Sequence, residues 1–119
     1  MTPVCHWFDH WDGKTMSADS YMDMALEEAR AAARRGEVPV GAVLVDADTG
    51  EVLARAGNLT EEMNDPTAHA EILVIRAAAG AKGEPRLPNC DLYVTLEPCP
   101  MCATAISFAR LRRVYFGAY

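Results

Sequence analysis

The sequence predicts an α/β fold: a mixed sheet that opens in a β-hairpin and continues in parallel strands, with helices covering its faces. Three observations carry this expectation. The apolar run Val40-Gly-Ala-Val-Leu-Val45 is followed by a polar turn and a second strand-like stretch, which is a hairpin pattern. Helical stretches then alternate with short strands, as in strand–helix–strand crossovers. Two of those helices begin beside residues able to hold a metal, and ligands in such sheets collect beyond the carboxyl ends of strands.

Taken in order, residues 1–16 read as an irregular leader in which Trp7, Phe8 and Trp11 follow no period, and Met16 is a candidate start for a domain over 17–119. The spacing of Cys5, His6 and His10 fits no strong zinc pattern. A helix is expected from Ser20 to about Arg35, because Ser20 with Asp23 resembles a capping box and alanine is dense; Gly36 ends it. The hairpin follows as Val40–Val45, a turn over Asp46–Gly50, and Glu51–Gly57. After a polar loop, Asn58–Pro66, Thr67 is expected to cap a helix running to about Ala79. Ile72, Leu73 and Ile75 would be its buried positions, with His69 and Glu71 in its first turn. Gly80–Asn89, with two glycines and two prolines, crosses the surface. A strand over Asp91–Leu96, a helix from Pro98 to about Arg110 and a strand over Arg112–Ala118 complete the chain.

At 119 residues this is one domain with a single core. No apolar run approaches the roughly 20 residues of a membrane span and the N-terminus has no signal-peptide core, so a cytoplasmic protein is expected. The net charge of −6 counts against a purely electrostatic nucleic-acid binder. Arg30, Arg34 and Arg35, like Arg110, Arg112 and Arg113, read as solvated helix ends placed well against the helix dipole.

The chemistry concentrates in Glu97-Pro-Cys-Pro-Met-Cys102. Proline suits a first helical turn, and residues three apart share a helix face, so Cys99 and Cys102 can aim at one ion. Redox dithiols and structural zinc sites share a lone Cys-x-x-Cys, and the four cysteines could in principle form disulfides. A reducing compartment and the paired spacing favour metal. His69 is the candidate third ligand, and three protein ligands leave tetrahedral zinc one open position, as in catalytic sites. Glu71 lies roughly 200° round a regular helix from His69 and is read as a proton carrier beside the metal, not a fourth ligand. Cys90 is set apart by six strand residues, about 20 Å when extended, and reads as a buried apolar residue.

His69-Ala-Glu71 and Pro98-Cys-Pro-Met-Cys102 resemble the two signatures of the cytidine deaminase-like zinc deaminases. Glu37-Val-Pro-Val-Gly-Ala42, Asn58, Asp65-Pro-Thr-Ala-His-Ala-Glu71 and Tyr93-Val-Thr-Leu-Glu-Pro98 are similar, more narrowly, to bacterial tRNA-specific adenosine deaminases, over about Met22 to Ala118. The resemblance implies a three-layer α/β/α sandwich, a homodimer, one Zn2+ per chain and hydrolysis of adenosine to inosine in a tRNA anticodon loop. It gives His69, Cys99 and Cys102 the metal-ligand roles and Glu71 the catalytic proton-shuttle role. It places Asn58 and the Ala70 amide against the nucleoside, with Val40 and Leu96 as pocket walls. Relatives continue beyond the point matching Tyr119, so the expected fold stops short of C-terminal elements that cover substrate, and Phe108-Ala109 replaces a polar pair common in relatives. Two other functions compete: a deaminase of free guanine, cytosine or nucleosides, and a non-catalytic zinc-binding partner subunit. Glu71 weighs against the last, since a structural zinc site has no use for a proton carrier.

Overall fold

Alanine dominates the first helix because that helix lies almost against backbone. In the computed structural model, which describes residues 2–3 and 18–117, α1 spans Ala18–Arg34 and buries Ala25, Ala29 and Ala32. These recur with the helical period and form one narrow stripe. Opposite them are Gly41 and Gly57, paired in register on the hairpin strands β2 (Gly41–Asp46) and β3 (Val52–Gly57). A Cβ added to Gly41 would stand 2.0 Å from the Ala25 carbonyl oxygen, and one on Gly57 2.7 Å from that of Glu28. Small residues on both sides let helix and sheet meet here.

The remaining elements are α2 (Ala70–Lys82), β4 (Cys90–Val94), α3 (Pro100–Ala109) and β5 (Arg113–Phe116). With the two-residue β1 (Thr2–Pro3), the strand order is β1-β5-β4-β2-β3. Strands β3, β4 and β5 run the same way, and β4 pairs with β5 in parallel. The crossover through α2 passes over β2, however, so β4 lies against β2 and that contact is antiparallel. Tyr21, Met22 and Ala25 of α1 pack with Val43, Val45, Tyr93 and Tyr115 on one face. On the other, Ala70, Val74 and Ala78 of α2 and Ile106 of α3 pack on Ala42, Leu44, Leu92 and Val94. The result is a three-layer α/β/α sandwich.

Several expected boundaries move. Helix α2 starts at Ala70, because the Asp65 carboxylate accepts hydrogen bonds from the Thr67 amide (2.8 Å) and hydroxyl (2.7 Å) and so occupies the side chain expected to cap it. His69 is therefore the extended residue before the helix, not part of its first turn. Of the expected positions Ile72 is buried, while Leu73 and Ile75 are half-buried and Val74 and Ala78 take their place in the core. Pro98 also lies outside its helix: Cys99 is the N-cap of α3 and Pro100 the first helical residue. Within the expected leader, Thr2 and Pro3 pair with Tyr115 and Phe116. Cys5, His6, Trp7, Phe8, His10, Trp11 and Met16 lie outside the described residues, as does Ala118 at the end of the expected last strand.

Candidate metal centre

Strands β3 and β4 end at the same edge of the sheet, and each delivers the chain toward a helix that starts there. Both residues just before those helices, His69 and Cys99, are extended, with ψ of 150° and 169°. Cys102 follows in the first turn of α3, as its spacing from Cys99 predicts. The result is one cluster. The His69 Nδ1 atom lies 3.7 Å from Cys99 Sγ and 3.5 Å from Cys102 Sγ, and the three ligand atoms fall within 4.8 Å of one another. With Zn–S near 2.3 Å and Zn–N near 2.0 Å, tetrahedral geometry calls for about 3.5 Å between nitrogen and sulfur.

Glu71 sits beside this cluster and is 4% exposed. Its Oε1 is buried without a hydrogen-bond partner. Burial raises its pKa, against the opposing pull of its own backbone amide, His69 and the Cys102 thiol. Burial likewise pushes the Cys102 thiol well up, reinforced by the Glu71 carboxylate and by Cys99. A helix start favours thiolate, but at Cys102 desolvation outweighs it. A buried acid and a buried thiol, both held toward their neutral forms beside an imidazole, are what a bound dication would reverse. Distances, donor types and the orphaned oxygen thus fit zinc.

A cavity of about 240 Å³ opens onto the cluster. Val40 and Leu96 line it together with Asn58, Glu71, His69 and Cys99. Asn58 is fixed on two sides: its backbone N–H donates to the Val40 carbonyl at 3.1 Å, and its side-chain Oδ1 accepts the Ala70 amide at 2.8 Å. Asn58 thereby satisfies one of the free N–H groups at the start of α2, where His69 makes no capping bond. The Ala70 amide is engaged in that bond, leaving Asn58 Nδ2 as the pair's available donor. Cys90 is buried in the core opposite Asp46, at the far end of β4.

Sequence reasoning did not single out Val38, Thr60 or the side chain of Glu97 as cavity-lining groups. Glu97 stands just before α3, where an acid also favours the helix start. Val38 belongs to the Glu37–Ala42 stretch, which gave it no role by itself, and Thr60 carries no motif; they reach the cavity through the turns around them.

Fold and cluster together define a single-metal, Cys₂His domain of the three-layer α/β class with a buried acid at the metal. The chain belongs to the cytidine and deoxycytidylate deaminase zinc-binding region family, whose model matches residues 15–118. Over 98 residues, 82% of this chain, it is 65% identical to a tRNA-specific adenosine deaminase of Agrobacterium fabrum. The chain spans 63% of that relative's length. A structure from work on A-to-I editing by tRNA deaminases at the wobble position of transfer RNA is 64% identical, with a TM-score of 0.81, covering 84% of this chain and 75% of that one. A guanine deaminase structure from Bacillus subtilis is 38% identical, with a TM-score of 0.82, covering 87% and 65%. Among the described residues, no helix is long and apolar enough to cross a membrane.

Proposed function

We propose that this domain is a zinc-dependent hydrolytic deaminase that converts adenosine to inosine in a tRNA anticodon loop. The observation that carries the reading is the buried Glu71 carboxyl, with an unpartnered oxygen, beside three converging zinc ligands in a base-sized cavity. At about 240 Å³ the cavity is below the roughly 300–1,000 Å³ of drug-sized ligand pockets, which suits one inserted base.

His69 Nδ1 and the sulfurs of Cys99 and Cys102 would hold the zinc, which would supply the Lewis acidity needed to ionise water near neutral pH. Glu71 takes the proton released as the C6–O bond forms and delivers it to ring N1. It then takes the proton of the new C6 hydroxyl and passes it to the exocyclic nitrogen as the C6–N bond breaks, leaving the C6 carbonyl of inosine and ammonia. Its burial beside the ligand cluster, with one oxygen unpartnered, suits a group that must both accept and return a proton. Val40 and Leu96 hold the faces of the base, and Asn58 Nδ2 donates to it. The Ala70 amide acts by fixing Asn58.

The tRNA reading is supported by the 64–65% identity to tRNA deaminases. A second reading, free guanine, is supported by the guanine deaminase of the same fold. The RNA would meet the exposed Arg30 and Arg34 at the end of α1, since Arg35 already holds Asn58 and Arg112 and Arg113 stand by Asp91 at the far end of β4. Phe108, 75% exposed on α3, supports a homodimer, and the tRNA reading carries a cytoplasmic location with it.

Zinc-loaded protein incubated with an anticodon stem-loop, guanine, cytosine and free nucleosides is expected to release ammonia from the stem-loop. Release only from free bases would overturn the RNA assignment. No release from any, with zinc bound, would favour the non-catalytic partner.

A further inference from the structure

Glu37 is a carboxylate, only 6% exposed, that the proposed chemistry does not use. It follows Gly36, just past the end of α1, and faces the loop that leaves β3. Its Oε1 accepts the Glu61 amide at 3.0 Å and the Thr60 hydroxyl at 3.3 Å; its Oε2 accepts the Glu62 amide at 2.9 Å. That loop makes one helical turn, with the Met63 amide donating to the Leu59 carbonyl and that of Asp65 to Thr60. The first amides of a helical turn have no partner within it, so an outside acceptor must satisfy them. Glu37 does so from another element. Beside it, Arg35 donates to the Asn58 carbonyl at 3.3 Å, so the end of α1 grips the loop at both its start and its turn. Asn58 and Thr60, the gripped residues, both line the cavity.

We propose that Glu37 is a positioning residue: by capping the 59–64 turn it fixes the Asn58–Thr60 wall of the cavity, and with it the fit of the base. The inference rests on the deaminase reading for its substrate, though the hydrogen bonds that define the clamp do not. Glu37 touches neither the zinc ligands nor Glu71 through any of these bonds, so its loss affects binding more than chemistry.

The test compares Glu37→Gln and Glu37→Asp with the unaltered zinc-bound protein. Zinc content and the thermal transition establish that each variant is folded. Amide exchange at Glu61 and Glu62, read by NMR, is expected to rise about tenfold in Glu37→Gln, as the charge-assisted acceptor is lost. KM for the substrate that the wild type turns over is expected to rise about tenfold while kcat changes much less, with Glu37→Asp between the two. Faster exchange with unchanged KM would overturn the proposal and leave Glu37 a purely structural cap. Unchanged exchange would overturn it as well. If the wild type deaminates guanine and not the stem-loop, the RNA reading fails while the KM ratio on guanine still decides the clamp. Should the wild type turn over nothing, affinity for purine riboside replaces KM, and a variant binding as tightly as the wild type overturns the clamp.

Discussion

Cys90 and Cys102 are buried to the same degree, and burial raises the pKa of both thiols, yet they stand at opposite ends of the β4 region in unlike surroundings. Cys90 packs among Leu87, Leu92 and Val114 and pairs across the sheet with Asp46. Cys102 has His69, Cys99 and Glu71 around it, because two strands that end together start two helices together. A buried thiol is a small apolar residue until topology brings a second and third ligand to it. The carboxyl end of the sheet is the ligand-bearing end for that reason.

The sharpest way to break this contrast is to remove each sulfur in turn. Cys102→Ser is expected to abolish stoichiometric zinc binding and, with it, turnover. Cys90→Ser is expected to keep one zinc per chain and lose about 1–3 kcal/mol of stability through the buried hydroxyl. Metal analysis and denaturant titration separate the two. Glu71→Gln comes next: zinc is retained and turnover falls about 10²–10⁴-fold. Loss of metal in that variant would show the carboxylate to be a ligand.

Backbone packing gives the third comparison. Gly41→Ala would drive a methyl group into the Ala25 carbonyl and should cost about 3 kcal/mol or more, lowering Tm and loosening the site end. Gly80→Ala, on an exposed part of α2 with no atom within 4 Å, should gain about 0.5–1 kcal/mol. The smallest effect concerns acid. The loop amides hold the Glu37 carboxyl below its ordinary value of 4.5. Its contribution is therefore complete above that value and fades as pH falls through the lowered one. The stability gap between wild type and Glu37→Gln should be full at neutral pH and close in acid.

The metal cluster was legible in sequence because its ligands are spaced by local geometry: three residues along a helix turn for the thiols, and a helix start for the histidine. Tertiary pairing was not legible. Nothing in β4 announces that it lies against β2, since strand order depends on which face α2 must cover. Helix starts moved where side chains found other partners: Thr67 serves Asp65, while Asn58 satisfies the Ala70 amide from across the loop. Glu37 stands in the sequence only as the first residue of the stretch running to Ala42, and its role arises only when a distant turn presents three donors to it.

X-ray absorption at the zinc edge bears most directly on the central claim, that an imidazole and two thiolates from separate segments hold one ion with a position left for solvent. The expected first shell is two sulfurs at about 2.3 Å and two lighter atoms, one from His69 and one from water, at about 2.0 Å. A third sulfur, or a Glu71 oxygen replacing the water, would contradict it.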